Sequence, residues 1–176
     1  MIELTRGDIL QANAEALVNT VNCVGVMGRG IAFQFKKAFP NNYKLYKSAC
    51  DNKKVHPGDM LVYDLNRFKN PRFIINFPTK RHWKGKSKIE DIEKGLQALV
   101  DVIRKYNIHS VAIPPLGCGL GGLNWHEVKP LIENALRVLH DVQVILYEPK
   151  GAPEPDKMVK EKKIPNMTKP RWLTLE

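Results

Sequence analysis

The stretch from Ser110 to Glu127 most narrows what this chain can fold into, because it reads as a buried strand, a glycine loop and a helix start in immediate succession. Val111, Ala112 and Ile113 form a short apolar run that Pro114 and Pro115 close, since proline has no N–H to give to a sheet ladder. Gly117, Gly119, Gly121 and Gly122 follow, four glycines in six positions, which is more than a tight turn needs. Lacking side chains, they let backbone N–H groups close on a bulky anion. Asn124, with Glu127 three residues on, has the capping-box spacing that opens a helix. Strand, glycine loop and helix N-terminus in that order make a phosphate cradle. Gly117, Gly119 and Gly122 also satisfy G-x-G-x-x-G, but a dinucleotide fingerprint belongs to the first strand–helix–strand unit with an acidic ribose ligand on the next strand. Here a single strand remains after the loop, which makes that reading weak.

A second glycine loop lies near the N-terminus. Ile2–Leu4 and Ala16–Val21 read as the first strands, the second apolar on both faces and so central in a sheet. Between them, Asp8 either caps backbone amides or holds a ligand amine. Gly25, Gly28 and Gly30 then precede a helical pattern from Ile31 to Phe39, so backbone amides again lead into a helix start. No G-x-x-x-x-G-K-[ST] is present, which argues against a P-loop nucleotidase. Asn22, where this loop begins, is either a turn former or a neutral amide for sugar hydroxyls. Pro40 ends the helix and residues 42–50 form another. Met60–Leu65 and Phe73–Phe77 are strands. Ser87 and Glu90 have capping-box spacing for a helix with a stripe of Ile92, Leu96, Leu99, Val100 and Ile103, which Asn107 ends. A last helix spans about Trp125–His140 and a last strand Val142–Tyr147. Alternating strands and helices indicate a three-layer α/β/α fold whose mixed, largely parallel sheet gathers both glycine loops at its carboxyl edge.

With 176 residues, one domain is expected, and 43% hydrophobic content supports a real core. Residues 1–148 carry the periodic pattern. From 149 to 176 prolines alternate with lysines, an extended tail or linker, packed in part through Met158, Trp172 and Leu173. Lys and Arg outnumber Asp and Glu by 28 to 18, a net +10 that favours a polyanionic partner. Three cysteines without C-x-x-C spacing suggest neither a disulfide framework nor a metal site, and suit a reducing compartment. The start of the chain has no secretory pattern, and no apolar run reaches about 18 residues. The expectation is a cytoplasmic monomer without membrane contact, metal or cofactor.

Gly7–Leu10, Val18–Asn22, Gly28–Ala32 and Ile113–Gly122 resemble, in order, the successive motifs of a macrodomain, the ADP-ribose-binding fold. The resemblance covers about residues 1–148. Thr79–Lys80 after a strand, with Gly117–Leu120 and Trp125, is similar to the terminal ADP-ribose glycohydrolase branch, and more closely to the DarG antitoxins. Those remove ADP-ribose that a DarT toxin places on thymidine in single-stranded DNA. The resemblance implies that Asp8 and the Ile9 backbone hold the adenine amine and that Tyr147 lies against the adenine. Gly28, Arg29, Gly30, Ile31 and Ala32, with Leu116, Gly117, Cys118, Gly119, Leu120, Gly121 and Gly122, would hold the diphosphate. Asn22 would hold the distal ribose, Thr20 would also belong to the ADP-ribose site, and Lys80 matches the lysine used in catalysis. Human-type relatives have an aspartate where this chain has Gly121, so that carboxylate's role does not transfer. A DarT-like toxin is the implied partner, through a region that follows the domain in such antitoxins.

Taken from the residues alone, a lysine after a strand is usually a solvated surface group. Lys80, however, follows an apolar strand at the edge where both cradles open, and Arg81, Lys84 and Lys86 nearby would lower its pKa. A neutral Lys80 could attack the ribose C1, or a charged one could donate a proton while water attacks. Cys118, flanked by glycines, reads as small packing rather than a nucleophile, and His82 as a weaker acid. Residues 79–88 hold six basic groups and no acid. Arg81, His82, Lys84 and Lys86 could track DNA phosphates while Trp83 stacks on a base, against the plainer account of a solubilising loop. Three readings follow: a glycohydrolase acting on ADP-ribosylated DNA or, alternatively, protein, a non-catalytic ADP-ribose reader, and a nucleic-acid module with a vestigial pocket.

Overall fold

The computed structural model describes residues 1–151, so Met158, Trp172, Leu173 and nearly all of the expected tail lie outside the described residues. Strands β1 (Ile2–Thr5), β2 (Ala16–Val21), β3 (Leu61–Asp64), β4 (Phe73–Pro78), β5 (Ser110–Ile113) and β6 (Gln143–Tyr147) form one sheet in the order β1-β6-β5-β2-β4-β3. Every pairing is parallel except β3 with β4. The helices are α1 (Gly30–Ala38), α2 (Pro40–Asp51), α3 (Ile89–Lys105) and α4 (Trp125–Leu136).

The period-two alternation of the strands builds the layers. Ala16 and Val18 of β2, Ile75 and Phe77 of β4, and Val144 and Leu146 of β6 bury against the apolar stripes of α3 and α4. Leu17, Ile74, Ala112 and Tyr147 face the other way, onto Phe35 of α1. The expected three layers and mixed sheet are therefore present. Gly95 of α3 lies against the Phe77 ring, so close that a Cβ there would overlap it, and this sets how near α3 sits to β4.

On the α1/α2 face the core includes amides. Asn19 of β2 and Asn76 of β4 are register partners, and the Asn19 amide donates to Asn76 Oδ1 at 3.2 Å. Asn42 of α2 donates to the same oxygen at 3.2 Å and accepts from Asn76 Nδ2 at 2.8 Å. All three are 0% exposed, so their mutual bonds are what makes the burial tolerable.

Three expected boundaries change. Ser87 and Glu90 do not form a capping box: Lys88 occupies the N-cap without a side-chain bond, because Ser87 N–H is drawn to Gly121 O at 3.0 Å and its hydroxyl faces the glycine loop. Helix α4 stops at Leu136, and residues 137–140 turn back through Leu139 N–H to Leu136 O at 3.0 Å. Pro40 both follows α1 and occupies the first position of α2, where its missing N–H costs nothing.

Candidate functional site

The parallel strands β2, β4 and β5 end at the same edge, and the loops that leave them enclose a cleft of about 850 Å³, within the range of small-molecule sites. The β2 loop contributes Asn22, Val26, Gly28 and Arg29, running into Gly30, Ile31 and Ala32 of α1. The β4 loop contributes Thr79, Lys80, Trp83, Lys84, Gly85 and Lys86. The β5 loop contributes Pro115, Gly117, Gly119, Leu120 and Gly121. Thr20 and Val21, from the end of β2, complete the floor. No carboxylate lines the cleft among the described residues, whereas Arg29, Lys80, Lys84 and Lys86 all do.

Each loop is held by named bonds. Asn22 Oδ1 accepts from Val24 N–H at 3.0 Å and Val26 N–H at 3.3 Å, and its Nδ2 donates to Val26 O at 2.8 Å. Tyr46, buried in α2, donates to the same Asn22 Oδ1 at 2.7 Å. The turn-forming role of Asn22 is thus the one its bonds display. Gly117, at φ +73, takes a conformation that L side chains rarely adopt, and it brings Leu123 N–H onto its carbonyl at 2.9 Å. Gly121 is buried between the Ser87 hydroxyl and the Gly117 carbonyl, and a Cβ there would overlap both. Gly119 has nothing within 4 Å of an added Cβ.

The β4 loop is pinned at both ends. Thr79 N–H donates to Val21 O at 2.9 Å, and Cys23 N–H to Arg81 O at 3.2 Å. Arg81 makes a two-point ion pair with Asp91 in the first turn of α3, Nε to Oδ2 and Nη2 to Oδ1 both at 3.1 Å, and the Asp91 side chain is 2% exposed. Arg81, expected among the cations that track DNA, thus already has an acid partner, which was not legible in the sequence.

Lys80, half-buried, donates from Nζ to Trp83 O at 3.1 Å. Its pKa is lowered first by burial, then by Lys86 and Arg29. The direction and the part played by Lys86 match expectation, but burial leads, and Arg29 from across the cleft acts where Arg81, paired with Asp91, does not. Cys118, by contrast, has its thiol pushed up to about 11 by burial and donates to Leu116 O at 3.5 Å, so it is packing. His82 Nδ1 accepts from Lys84 N–H at 3.1 Å, which leaves Nε2 as its free donor position.

The remaining candidates fall into two groups. Asp8, exposed, caps Leu10 N–H at 3.0 Å through Oδ1. It stands close enough to Tyr147 to raise that phenol's pKa, after burial, and Ile9 shares a core cluster with Tyr147. These three form a shelf at the carboxyl ends of β1 and β6, outside the cleft wall. Leu116 is 0% exposed inside the core, and Gly122 lies beyond the wall beneath Lys86, whose Nζ would be 3.6 Å from a Cβ there. Among the described residues no cluster of His, Cys, Asp or Glu could hold a metal ion, and no helix is long and apolar enough to cross a membrane.

Comparison with known proteins gives consistent matches. Residues 18–132 match the family model described as Macro domain. A DNA ADP-ribosyl glycohydrolase of Thermus aquaticus is 48% identical over 176 residues, 100% of this chain and 49% of that protein. The solved macrodomain of Mycobacterium tuberculosis DarG superposes with a TM-score of 0.83 at 50% identity, covering 85% of this chain and 98% of that one. Thermosipho africanus DarTG in complex with ADP-ribose gives 0.81 at 37% identity, covering 88% and 43%. The chain spans about half the length of the curated relatives it matches.

Proposed function

The chain belongs to the macrodomain family, and on that premise we propose that it is a glycohydrolase releasing ADP-ribose from thymidine in single-stranded DNA, the antitoxin to a DNA ADP-ribosyltransferase of the DarT kind. The Thermus aquaticus relative, named a DNA ADP-ribosyl glycohydrolase, supports the reaction and a DNA substrate, and the Thermosipho africanus complex supports the ligand. The observation that carries the reading is Lys80, a lysine of depressed pKa in the wall of a cleft that both glycine loops share.

In this reading the backbone amides around Gly28–Ala32 and Gly117–Leu120 take the diphosphate, with Arg29 beside them. The adenine lies toward Asp8, Ile9 and Tyr147. The distal ribose then reaches Lys80. Burial and neighbouring cations favour the neutral amine, which suits attack on C1: the C1–N bond breaks, its electron pair leaves on the thymine ring nitrogen, and water later frees the sugar from lysine. The ring imide accepts the pair readily because two carbonyls flank it, so departure does not need the carboxylate that Gly121 lacks. Lys84, with Trp83, approaches the DNA strand.

The test is incubation with ADP-ribosylated single-stranded DNA, with free ADP-ribose and unmodified oligonucleotide as the expected products. Tight ADP-ribose binding with no release at enzyme excess would instead make the chain a reader.

A further inference from the structure

The geometry points to a nucleobase subsite at the mouth of the cleft, walled by Trp83, Leu120 and Val26, that holds the thymine bearing the ADP-ribose. This rests on the glycohydrolase reading and specifies which part of its substrate the mouth recognises. Each of the three loops places one exposed apolar side chain on the cleft wall: Val26 at 38%, Trp83 at 44% and Leu120 at 55% exposure. Large apolar groups left open beside a cationic interior imply a ligand with a flat apolar portion. The Lys80 amine lies 3.1 Å from the Trp83 carbonyl. Lys80 and Trp83 thus border the same part of the cleft, and a leaving group on the sugar carbon that Lys80 meets is within the wall that Trp83, Leu120 and Val26 share.

The electrostatics suit the same occupant. The ring of Trp83 is backed by His82 at 5.4 Å between centroids and 28° between planes, so the platform is already stacked on one side. Lys84 Nζ lies over the ring, 5.0 Å from its centroid, on a flexible exposed side chain that an incoming base displaces toward the rim, and Lys86 lies along the rim at Gly122. When the C1–N bond breaks, the electron pair stays on the ring nitrogen as an imide anion. These ammonium groups meet that charge, and with no carboxylate in the wall nothing repels it. Overall, water supplies the hydroxyl at C1 and the proton that returns to the base. A carboxylate-linked ADP-ribose on a protein side chain would gain nothing from the apolar platform.

The experiment compares Trp83→Ala and Trp83→Phe with wild type on ADP-ribosyl-thymidine as a lone nucleoside, which has no neighbouring bases, and on an ADP-ribosyl ester of a glutamate peptide. Stacking on an aromatic is worth roughly 1–3 kcal/mol, so kcat/KM on the nucleoside should fall about 5- to 150-fold in Trp83→Ala and recover largely in Trp83→Phe. Free ADP-ribose affinity and the melting temperature should not change. Wild-type turnover of the nucleoside by Trp83→Ala, with loss confined to oligonucleotides, would overturn the proposal in favour of flanking-base stacking. Equal loss on the peptide ester would overturn it by making Trp83 only a support for Lys80. If wild type releases ADP-ribose from no thymidine substrate, the glycohydrolase reading fails on its own. The subsite then stands or falls on binding: the nucleoside conjugate must bind wild type at least about fivefold more tightly than free ADP-ribose, and Trp83→Ala must erase that gain.

Discussion

Adding a single methyl group at Gly121 isolates what the glycine there does. Backbone strain is not the issue, since Gly121 lies outside the left-handed region that Gly117 and Gly122 occupy. The obstacle is space, because the added Cβ overlaps the Ser87 hydroxyl and the Gly117 carbonyl. Ser87 can turn its hydroxyl away at little cost, as that oxygen has no hydrogen-bond partner. The carbonyl belongs to a backbone turn closed by Leu123 N–H and cannot yield without opening the loop. Overpacking of this kind costs about 1–3 kcal/mol, which for a domain of this size lowers Tm by about 3–10 °C. Opening the loop should also weaken ADP-ribose by tenfold or more, each tenfold being about 1.4 kcal/mol. Gly121→Ala is therefore expected to melt lower and bind less tightly, by thermal denaturation and calorimetric titration. Ser87→Gly combined with it should recover only part of both losses, because the Gly117 carbonyl remains. Gly121→Asp, restoring the residue of human-type relatives, should be worse still and gain no activity. Wild-type melting and affinity in Gly121→Ala would refute the steric account.

Gly119→Glu is the counterpart: with open space at its Cβ, the variant should fold and melt as wild type while its charged side chain in the cleft abolishes ADP-ribose binding by calorimetry. Lys80→Ala should reduce release by about 100-fold or more with ADP-ribose affinity kept, and wild-type turnover should rise with pH through the lowered Lys80 pKa if the neutral amine attacks; a falling limb would assign Lys80 as the proton donor. Because that pKa is lower in the folded chain than the ordinary 10.5, burying the ammonium costs stability below the folded pKa, and the cost fades as pH rises toward 10.5. Lys80→Met should accordingly melt higher than wild type at neutral pH, with the difference shrinking in alkali. Lys84→Glu should weaken modified oligonucleotides while sparing free ADP-ribose, and should flatten the salt dependence by about 0.7 per lost phosphate contact.

The strands and both glycine loops were legible because period-two apolar runs ending in glycine or proline have one physical interpretation. Lys80 was legible through its position after β4 together with the family motif. The Arg81–Asp91 pair was not, since its partners lie ten residues apart across a loop whose path no periodicity encodes. Ser87 misled for a related reason: serine three residues before glutamate fits a cap, but the tertiary pull of Gly121 O outweighed the local preference. Asn22 was balanced between ribose ligand and turn former until Tyr46, from a helix 24 residues away, occupied its oxygen.

The asparagine cluster beneath the cleft bears on how such a site can diversify. Asn19, Asn76 and Asn42 bond to one another at one alignment of β2, β4 and α2, with only the Asn19 Oδ1 left unpartnered among their side-chain oxygens. Sliding β4 by a residue would turn Asn76 toward α3 and leave its partners' amides stranded in a dry interior, a penalty that apolar side chains alone would not impose. The cluster works as a key cut into the core. It indexes where the β2 and β4 loops emerge, so that Asn22 and Lys80 leave the sheet side by side whatever the loops themselves contain. With alignment stored in the core, exposed side chains of these loops such as Val26, Trp83 and Lys84 are free to change, and substrate preference with them, without losing the geometry that brings lysine and cradle together.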